Sequence, residues 1–395
     1  MAIASASEIG VLGAGTMGAG IAQVAAAAGH PVLLADSFPG AIDKARDGHA
    51  KAIGREVEKS RLGKDAGAAL LGRISYRTPA AGDLTCFAGS ALVIEAIVED
   101  LAIKRSVFQS LDQSVAAEAI LATNTSSLAV SAIAGACKRP ERVVGIHFFN
   151  PAPVLPLVEI VPGIATDSAV TAQAKALIDA WGKVTVVASD TPGFIVNRIA
   201  RPFYSEALRI YEEGIADKAT IDWAMRDAGG FKMGPFELMD LIGNDVNYAV
   251  SASVFEAFGY DPRYRPFLSQ KRLVEGGLLG RKTGRGHFDY RPGAPLHEPI
   301  KENESAIAVF PRILAVLVNS AVDALFWRVA SRDDIDLAMV KGVNYPKGLL
   351  QWADDIGLGV ILERLDQLHI EYGEERYRAS VLLRRMVSRG ERFYQ

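Results

Sequence analysis

The sequence predicts a doubly wound α/β domain at the N-terminus, followed by an all-helical region present in two tandem copies. Three observations carry that expectation. Residues 8 to about 189 alternate short apolar runs with longer helical segments. Beyond residue 190 nearly every segment has helical spacing. Within that second part, a spread-out pattern of residues returns after a fixed interval. At 395 residues the chain is also longer than one compact core usually holds.

The strands come first. Ile9–Leu12, Val32–Ala35, Ala91–Ala96, Ile120–Thr123, Val143–His147 and Val184–Val187 are short and rich in Val, Ile and Leu at both parities. That composition fits a parallel sheet covered on both faces. Alternation with helices makes the domain α/β, over residues 1–189. The character changes at Asp190-Thr191-Pro192-Gly193. Asp190 or Thr191 can cap a helix and Pro192 suits its first turn, so a helix is expected to start there and run from Phe194 to Gly214. Residues 190–290 form the first helical copy. A polar stretch with Pro and Gly, residues 291–309, reads as a linker, and residues 310–395 as the second copy.

The repeat is visible residue by residue. Ile221-Asp222-Trp223-Ala224-Met225 returns as Ile335-Asp336-Leu337-Ala338-Met339. At the same offset Arg198 meets Arg312, Gly234 meets Gly348 and Asp240 meets Asp354. Arg263-Tyr264-Arg265 returns as Arg376-Tyr377-Arg378, one residue closer. Repeated helical units usually pack on each other. Ile313, Leu314, Leu317, Val318, Ala321, Leu325 and Phe326 give the second copy a broad apolar stripe on one helix.

Composition narrows the function classes. The formal net charge of −3 offers no basic face for nucleic acid. Two cysteines, Cys86 and Cys137, are too few for a disulfide framework and fit a reducing compartment, so a cytoplasmic location is expected. No signal peptide is read at the N-terminus. Gly, Pro or charge breaks the apolar stretches before the roughly 18 residues of a membrane span, so no membrane partner is expected. No metal is expected.

Gly13-Ala14-Gly15-Thr16-Met17-Gly18 follows the first strand and opens an Ala-rich helix. In a dinucleotide site the first Gly makes a tight turn and the second lets the backbone approach a pyrophosphate. The third packs helix against sheet. Free N–H groups at the helix start then meet the negative charge. The second strand ends in Asp36, whose carboxylate would bind the ribose hydroxyls and repel a 2′-phosphate. No Arg follows it closely, so NAD is expected over NADP.

The substrate side should lie at later strand ends, where open α/β sheets place ligands. Asn124-Thr125-Ser126-Ser127 and His147-Phe148-Phe149-Asn150-Pro151 sit there, followed by Leu157-Val158-Glu159-Ile160-Val161 and by Asn197 in the helical part. Oxidising an alcohol by hydride transfer needs a base, and His titrates near working pH. A carboxylate at its other nitrogen would fix the tautomer, and Glu159 is the candidate. Ser126 could bind the reacting oxygen, and Asn197 a carbonyl or a developing enolate. The residues alone also allow blander readings: a structural His, a turn at 124–127, a surface Glu159, a polar helix position at 197.

These stretches resemble the L-3-hydroxyacyl-CoA dehydrogenase family. The similarity includes the glycine loop, Ile94 to Glu99, Asn124 to Leu128, His147 to Pro151 and Asp190 to Arg198. It continues through Met233 to Glu237 and Arg281 to Gly284. The second copy resembles the duplication of long family members, such as those of bacterial phenylacetate breakdown. The resemblance implies a Rossmann-type NAD domain and reversible oxidation of an acyl-CoA thioester at C3. It implies His147 as base, Glu159 as its partner, and Ser126 and Asn197 as substrate-oxygen contacts. It implies Asp36 on the ribose, and Glu99, Lys104, Asn150 and Lys282 along the cofactor. Lys59 falls where the family has a basic residue near the CoA phosphates.

The sequence departs from the pattern in three places. His287 stands before Phe288 where an aromatic pair is usual, the link between the copies is short, and Pro311 occupies the position equivalent to Asn197. The second copy is therefore expected to be non-catalytic. In short family members the helical domain is a dimer interface, so the duplicate implies an intrachain pseudo-dimer, with a homodimer through another surface still open. A dehydrogenase of non-CoA hydroxy acids and a non-catalytic NAD-binding protein are the competing readings.

Overall fold

The computed structural model describes residues 3–80, 82–295, 297–301 and 304–394; the side chains of residues 304–306 lie outside that description. Parts of the expected linker, Leu296, Glu302 and Asn303, fall outside it too. The chain forms two compact units, Met1–Phe194 and Ile195–Gln395.

The first unit is built from β1 (Ile9–Leu12), α1 (Thr16–Ala27), β2 (Val32–Ala35), α2 (Pro39–Glu58), α3 (Lys64–Gly72) and β3 (Ile74–Arg77). It continues through β4 (Leu92–Glu95), α4 (Leu101–Ser114), β5 (Ile120–Thr123), α5 (Val130–Ala134) and β6 (Val143–Phe148). β7 (Leu157–Pro162), α6 (Ser168–Ala180) and β8 (Val184–Val187) complete it. The eight strands run in the order β3-β2-β1-β4-β5-β6-β7-β8. Strand order reverses between β1 and β4, so their carboxyl ends flank the crevice in which such sheets bind ligands. β1, β2, β4 and β5 are buried throughout, which explains why their sequences carry no polar alternation.

Two features depart from expectation. β3 was not foreseen: Ser75 and Arg77 interrupt its apolar pattern, as suits an edge strand with solvent on one side. The sheet is not wholly parallel, because β7 runs antiparallel to β6, with His147 directly opposite Glu159. A strand returning from an eight-residue loop can pair only this way, since a parallel return needs a longer crossover.

The second unit holds α7 (Val196–Ile199), α8 (Arg201–Glu212), α9 (Lys218–Asp227), α10 (Pro235–Ile242), α11 (Asn244–Ala257) and α12 (Leu268–Glu275). The later segment supplies α13 (Glu304–Phe326), α14 (Arg332–Val343), α15 (Leu349–Ile356), α16 (Leu358–Tyr372) and α17 (Val381–Arg389). The expected helix start at Asp190 is corrected. Gly193 and Phe194 both take positive φ, 73° and 47°, which prevents a continuous helix, and α7 begins at Val196. Asp190 instead accepts the Val130 and Ser131 N–H groups at 2.8 and 2.7 Å, capping α5.

The two copies repeat down to their caps. Asp222 accepts the N–H groups of Phe236 and Glu237, and Asp336 those of Leu350 and Gln351. A Cβ on Gly234 would stand 2.3 Å from Asp222, and one on Gly348 2.3 Å from Asp336, so the cap requires glycine at both places. Asp240 ties His287 and Phe288 to α10, as Asp354 ties Phe393 and Tyr394 to α15.

The copies pack on each other through α13. Ile313, Leu314, Leu317, Val318 and Ala321 of the expected stripe are buried and Leu325 and Phe326 half-buried, and Ala315, Val316, Val322 and Ala324 are buried too, so α13 is covered nearly all round. It lies between α8 and α9 of the first copy and α15, α16 and α17 of its own. Ile307–Phe326 is long and apolar enough to cross a membrane, contrary to expectation, but most of it is buried inside the protein. Charge crosses the same junction. Buried Arg312 bonds Glu206 at 2.6 Å and the Tyr377 hydroxyl at 2.9 Å, and Arg209 meets Glu374 at 2.7 Å. Removing one partner of such a buried pair costs about 3–5 kcal/mol.

Candidate active site

The glycine loop follows β1 because each glycine meets a different steric demand. Gly13 has φ 103°, and a Cβ there would lie 2.5 Å from the Ala96 carbonyl oxygen. A Cβ on Gly18 would collide with the Gly13 carbonyl oxygen. At Gly15 a Cβ would meet nothing within 4 Å. That open side leaves room for a ligand to approach the backbone. No side chain caps α1 at Gly15, so its first N–H groups remain available to an anion.

Asp36 closes the end of β2. Its carboxylate accepts the Ala14 N–H at 2.8 Å and the Phe38 N–H at 2.9 Å, one on each oxygen. Each oxygen keeps a lone pair for a ribose hydroxyl. A cleft of about 980 Å³ runs past Gly13, Gly15, Thr16, Met17 and Asp36 to Ile97 and Ile103. Its size, open glycine and carboxylate fit an adenine dinucleotide lacking a 2′-phosphate.

At the end of β4 lies an ionic cluster in which Glu95 and Lys104 are buried and Glu99 is exposed at the rim. Lys104 donates to Glu95 at 2.6 Å and sits 3.3 Å from Glu99. Glu95 also accepts the Ile97 N–H and the Thr123 hydroxyl. Glu99 accepts the Thr125 and Ser127 hydroxyls and the Ser126 N–H. Burial opposes ionisation of Glu99, but Lys104 and these donors outweigh it and hold the carboxyl below its usual range. Lys104 is 1 % exposed. Its ammonium lies against two carboxylates.

At the end of β6, His147 Nδ1 lies 2.7 Å from Glu159 Oε2. Glu159 is 0 % exposed, which overturns its surface reading. The imidazole is 5 % exposed and packed between the rings of Phe149 and Phe194, at centroid distances of 4.6 and 5.7 Å. Ser126 stands on the loop after the neighbouring strand β5, half-buried, with its N–H on Glu99. Asn150 is exposed, just past β6, and Lys59 is exposed at the C-terminal end of α2.

Two candidates belong to the second unit. Asn197 is half-buried in α7, and its carbonyl accepts the Arg201 Nε–H at 3.1 Å. Lys282 is paired with Asp245 at 2.6 Å. Three residues were given no individual role beforehand, although Asn124 lies in a stretch expected on the substrate side. Glu95 and Thr123 brace the Lys104 cluster, and Asn124 accepts the Phe148 N–H at 2.8 Å, fixing the strand end that carries His147. A carboxylate ending an otherwise apolar strand was the available signal for Glu95; the other two contacts are long-range and leave none.

Residues 8–191 match the family described as "3-hydroxyacyl-CoA dehydrogenase, NAD binding domain". Residues 193–290 and again 309–392 match "3-hydroxyacyl-CoA dehydrogenase, C-terminal domain". The "3-hydroxyadipyl-CoA dehydrogenase" of Escherichia coli is 39% identical over 461 residues, covering 95% of this chain and 96% of the relative. The human "Hydroxyacyl-coenzyme A dehydrogenase, mitochondrial" is 40% identical over 290 residues, covering 72% of this chain and 91% of its own. A crystal structure of 3-hydroxybutyryl-CoA dehydrogenase from Escherichia coli superposes with a TM-score of 0.90 at 38% identity, covering 97% of this chain and 98% of that one. Both helical copies match the same C-terminal domain, as the repeated caps require. The chain belongs to the 3-hydroxyacyl-CoA dehydrogenase family.

Proposed function

We propose that this NAD-dependent dehydrogenase oxidises the 3-hydroxyl of an (S)-3-hydroxyacyl-CoA to the 3-ketone, reversibly, with His147 as general base. The observation that carries the reading is the buried His147–Glu159 pair at the carboxyl end of β6. A neutral imidazole protonated at Nδ1 donates to Glu159 and presents the Nε2 lone pair to a substrate hydroxyl. As the proton arrives, the anionic Glu159 stabilises the imidazolium. The burial of the pair limits competition from water and strengthens that interaction.

NAD, when bound, accepts the hydride leaving C3. Gly15, Thr16 and Met17 would hold its pyrophosphate by backbone N–H groups, with Gly13 and Gly18 shaping the turn, and Asp36 would hold the ribose hydroxyls. Glu99, Lys104, Asn150 and Lys282 line the nicotinamide and adenosine parts of the cofactor site, with Lys104 holding Glu99 in place. Ser126 hydrogen-bonds the reacting oxygen, Asn197 a substrate carbonyl, and Lys59 attracts the CoA phosphates. We assign residues 1–189 to cofactor binding and 190–290 to the first helical copy. The expected linker of residues 291–309 shortens to 291–303, because α13 already starts at Glu304, and the rest of the chain is the second copy, packing as an intrachain pseudo-dimer. A cytoplasmic enzyme, able to dimerise through a surface other than α13, fits this reading.

His147→Ala tests the assignment. It should lower turnover of 3-hydroxybutyryl-CoA by about a hundredfold or more while NAD binding persists, the usual scale of general-base catalysis. Wild-type turnover by that variant removes His147 from the mechanism.

A further inference from the structure

The two helical copies provide an internal control. Residues 196–212 of the first copy form two helices, α7 and α8, interrupted at Ala200. The equivalent residues of the second copy, 310–326, belong to one unbroken helix, α13. Pro202 contributes to the interruption, because it has no N–H to return to the Arg198 carbonyl. Yet α13 runs on through Pro311, so a proline alone does not set the break.

The break is spanned by a side chain. Arg201, the first residue of α8, turns back and donates from Nε to the Asn197 carbonyl at 3.1 Å. Its Nη1 donates to the Ser251 hydroxyl at 3.2 Å and to the Asn247 carbonyl. Ser251 donates to that same carbonyl at 3.0 Å, and Gln270 donates to the Asn247 side-chain oxygen at 3.0 Å. The Tyr204 ring covers the guanidinium, 5.0 Å from its centroid. A latch of four buried polar side chains thus ties the backbone of Asn197 to α11 and α12. The space beside it is about 10 Å³, room for no more than a water, so Arg201 serves the protein itself.

The fold does not need this latch. The equivalent positions of the second copy hold Ala315, Ile361, Leu365 and Leu383, all buried. Buried ionic groups are commonly matched or bettered in stability by apolar residues of similar volume, so stability does not account for a guanidinium here. The latch segregates instead with Asn197. The copy with Pro311 in place of that asparagine has Ala315 in place of the arginine. We infer that Arg201 is a positioning residue for the dehydrogenase reaction: its bond to the Asn197 carbonyl fixes the backbone from which the Asn197 amide meets the substrate carbonyl. This deepens the proposed function and rests on the role given there to Asn197. A helix of four residues, such as α7, is too short to hold its own geometry, and displacing a positioned group by about an ångström can cost about a hundredfold in rate.

A double-mutant cycle on the full chain tests this, with (S)-3-hydroxybutyryl-CoA and NAD as substrates. Asn197→Ala measures the contribution of the amide. Arg201→Met should lower kcat/KM by about 10- to 100-fold while the dissociation constant for NAD stays at the wild-type value. In the Asn197→Ala background the same arginine substitution should cost less than threefold, because no amide is left to misplace. The quadruple variant R201A/N247I/S251L/Q270L, which installs the second copy's residues, should give the same pattern and replaces Arg201→Met in the cycle should that variant fail to fold. Full kcat/KM without the arginine overturns the inference. Losses of equal size in both backgrounds also overturn it, because the arginine then acts on the fold and not through Asn197. An Asn197→Ala variant with wild-type kinetics overturns the inference together with the role of Asn197. An impaired Asn197→Ala beside an unimpaired Arg201→Met overturns the inference alone and leaves that role standing.

Discussion

His287 offers a quantitative test of how the helical unit is held together. Its backbone N–H is fixed by Asp240 at 2.8 Å, as that of Phe393 is fixed by Asp354 at 3.0 Å, so the two residues are structural equivalents. Both are 7 % exposed. The phenyl ring suits that setting, but the imidazole brings two nitrogens without hydrogen-bond partners among the described residues. Burial, aided by Lys218, pushes its pKa down to about 3. The unfolded chain takes up a proton near pH 6.5, whereas the folded chain does so only near pH 3. Between those values the unfolded state binds more protons, so stability falls as pH drops through 6.5. Between pH 8 and pH 5 the loss from this residue is about 2 kcal/mol. His287→Phe removes that loss, and at pH 8 it should already stabilise by about 1–3 kcal/mol through deletion of the unpaired polar atoms. Thermal or urea unfolding of wild type and variant at both pH values measures this, and the stability difference should widen at pH 5. A difference that is unchanged with pH, or a variant less stable at both, would refute the reasoning.

Further predictions concern the site and the junction of the copies. Glu159→Gln should lower kcat less than His147→Ala does and shift the pH–rate profile, because the imidazolium loses its counter-charge; an identical profile would mean that Glu159 does not tune the base. Asp36→Ala should weaken NAD more than NADP, narrowing the wild-type preference; comparable kcat/KM for both cofactors in the wild type would remove Asp36 as the discriminator. Truncation after residue 295 strips α13 from α8 and α9 and leaves Glu206 without Arg312. Light scattering should find the shortened chain aggregated or dimeric, and a soluble monomer of undiminished stability would defeat the pseudo-dimer.

Local chemistry made much of this protein legible. Gly13, Gly15 and Gly18 are read by spacing because their demands are steric and lie within one turn. Strands β1, β2, β4, β5 and β6 announce themselves because burial on both faces leaves largely apolar runs. The two helical copies are read from Asp222 and Asp336, since a capping carboxylate and the glycine that admits it must recur together. Tertiary structure decided the rest, and each case is a contact between residues distant in sequence. The antiparallel turn of β7 sets Glu159 against His147, a pairing that no local pattern encodes. The positive φ at Gly193 and Phe194 frees Asp190 from the helix it precedes and gives it to α5, because a carboxylate caps whichever N–H groups packing brings near. Lys104 looks like any helix-face lysine until the fold buries it between Glu95 and Glu99. Charge balance in an interior is set by what surrounds a group in space, and Arg201 finds there neutral oxygens and the face of the Tyr204 ring.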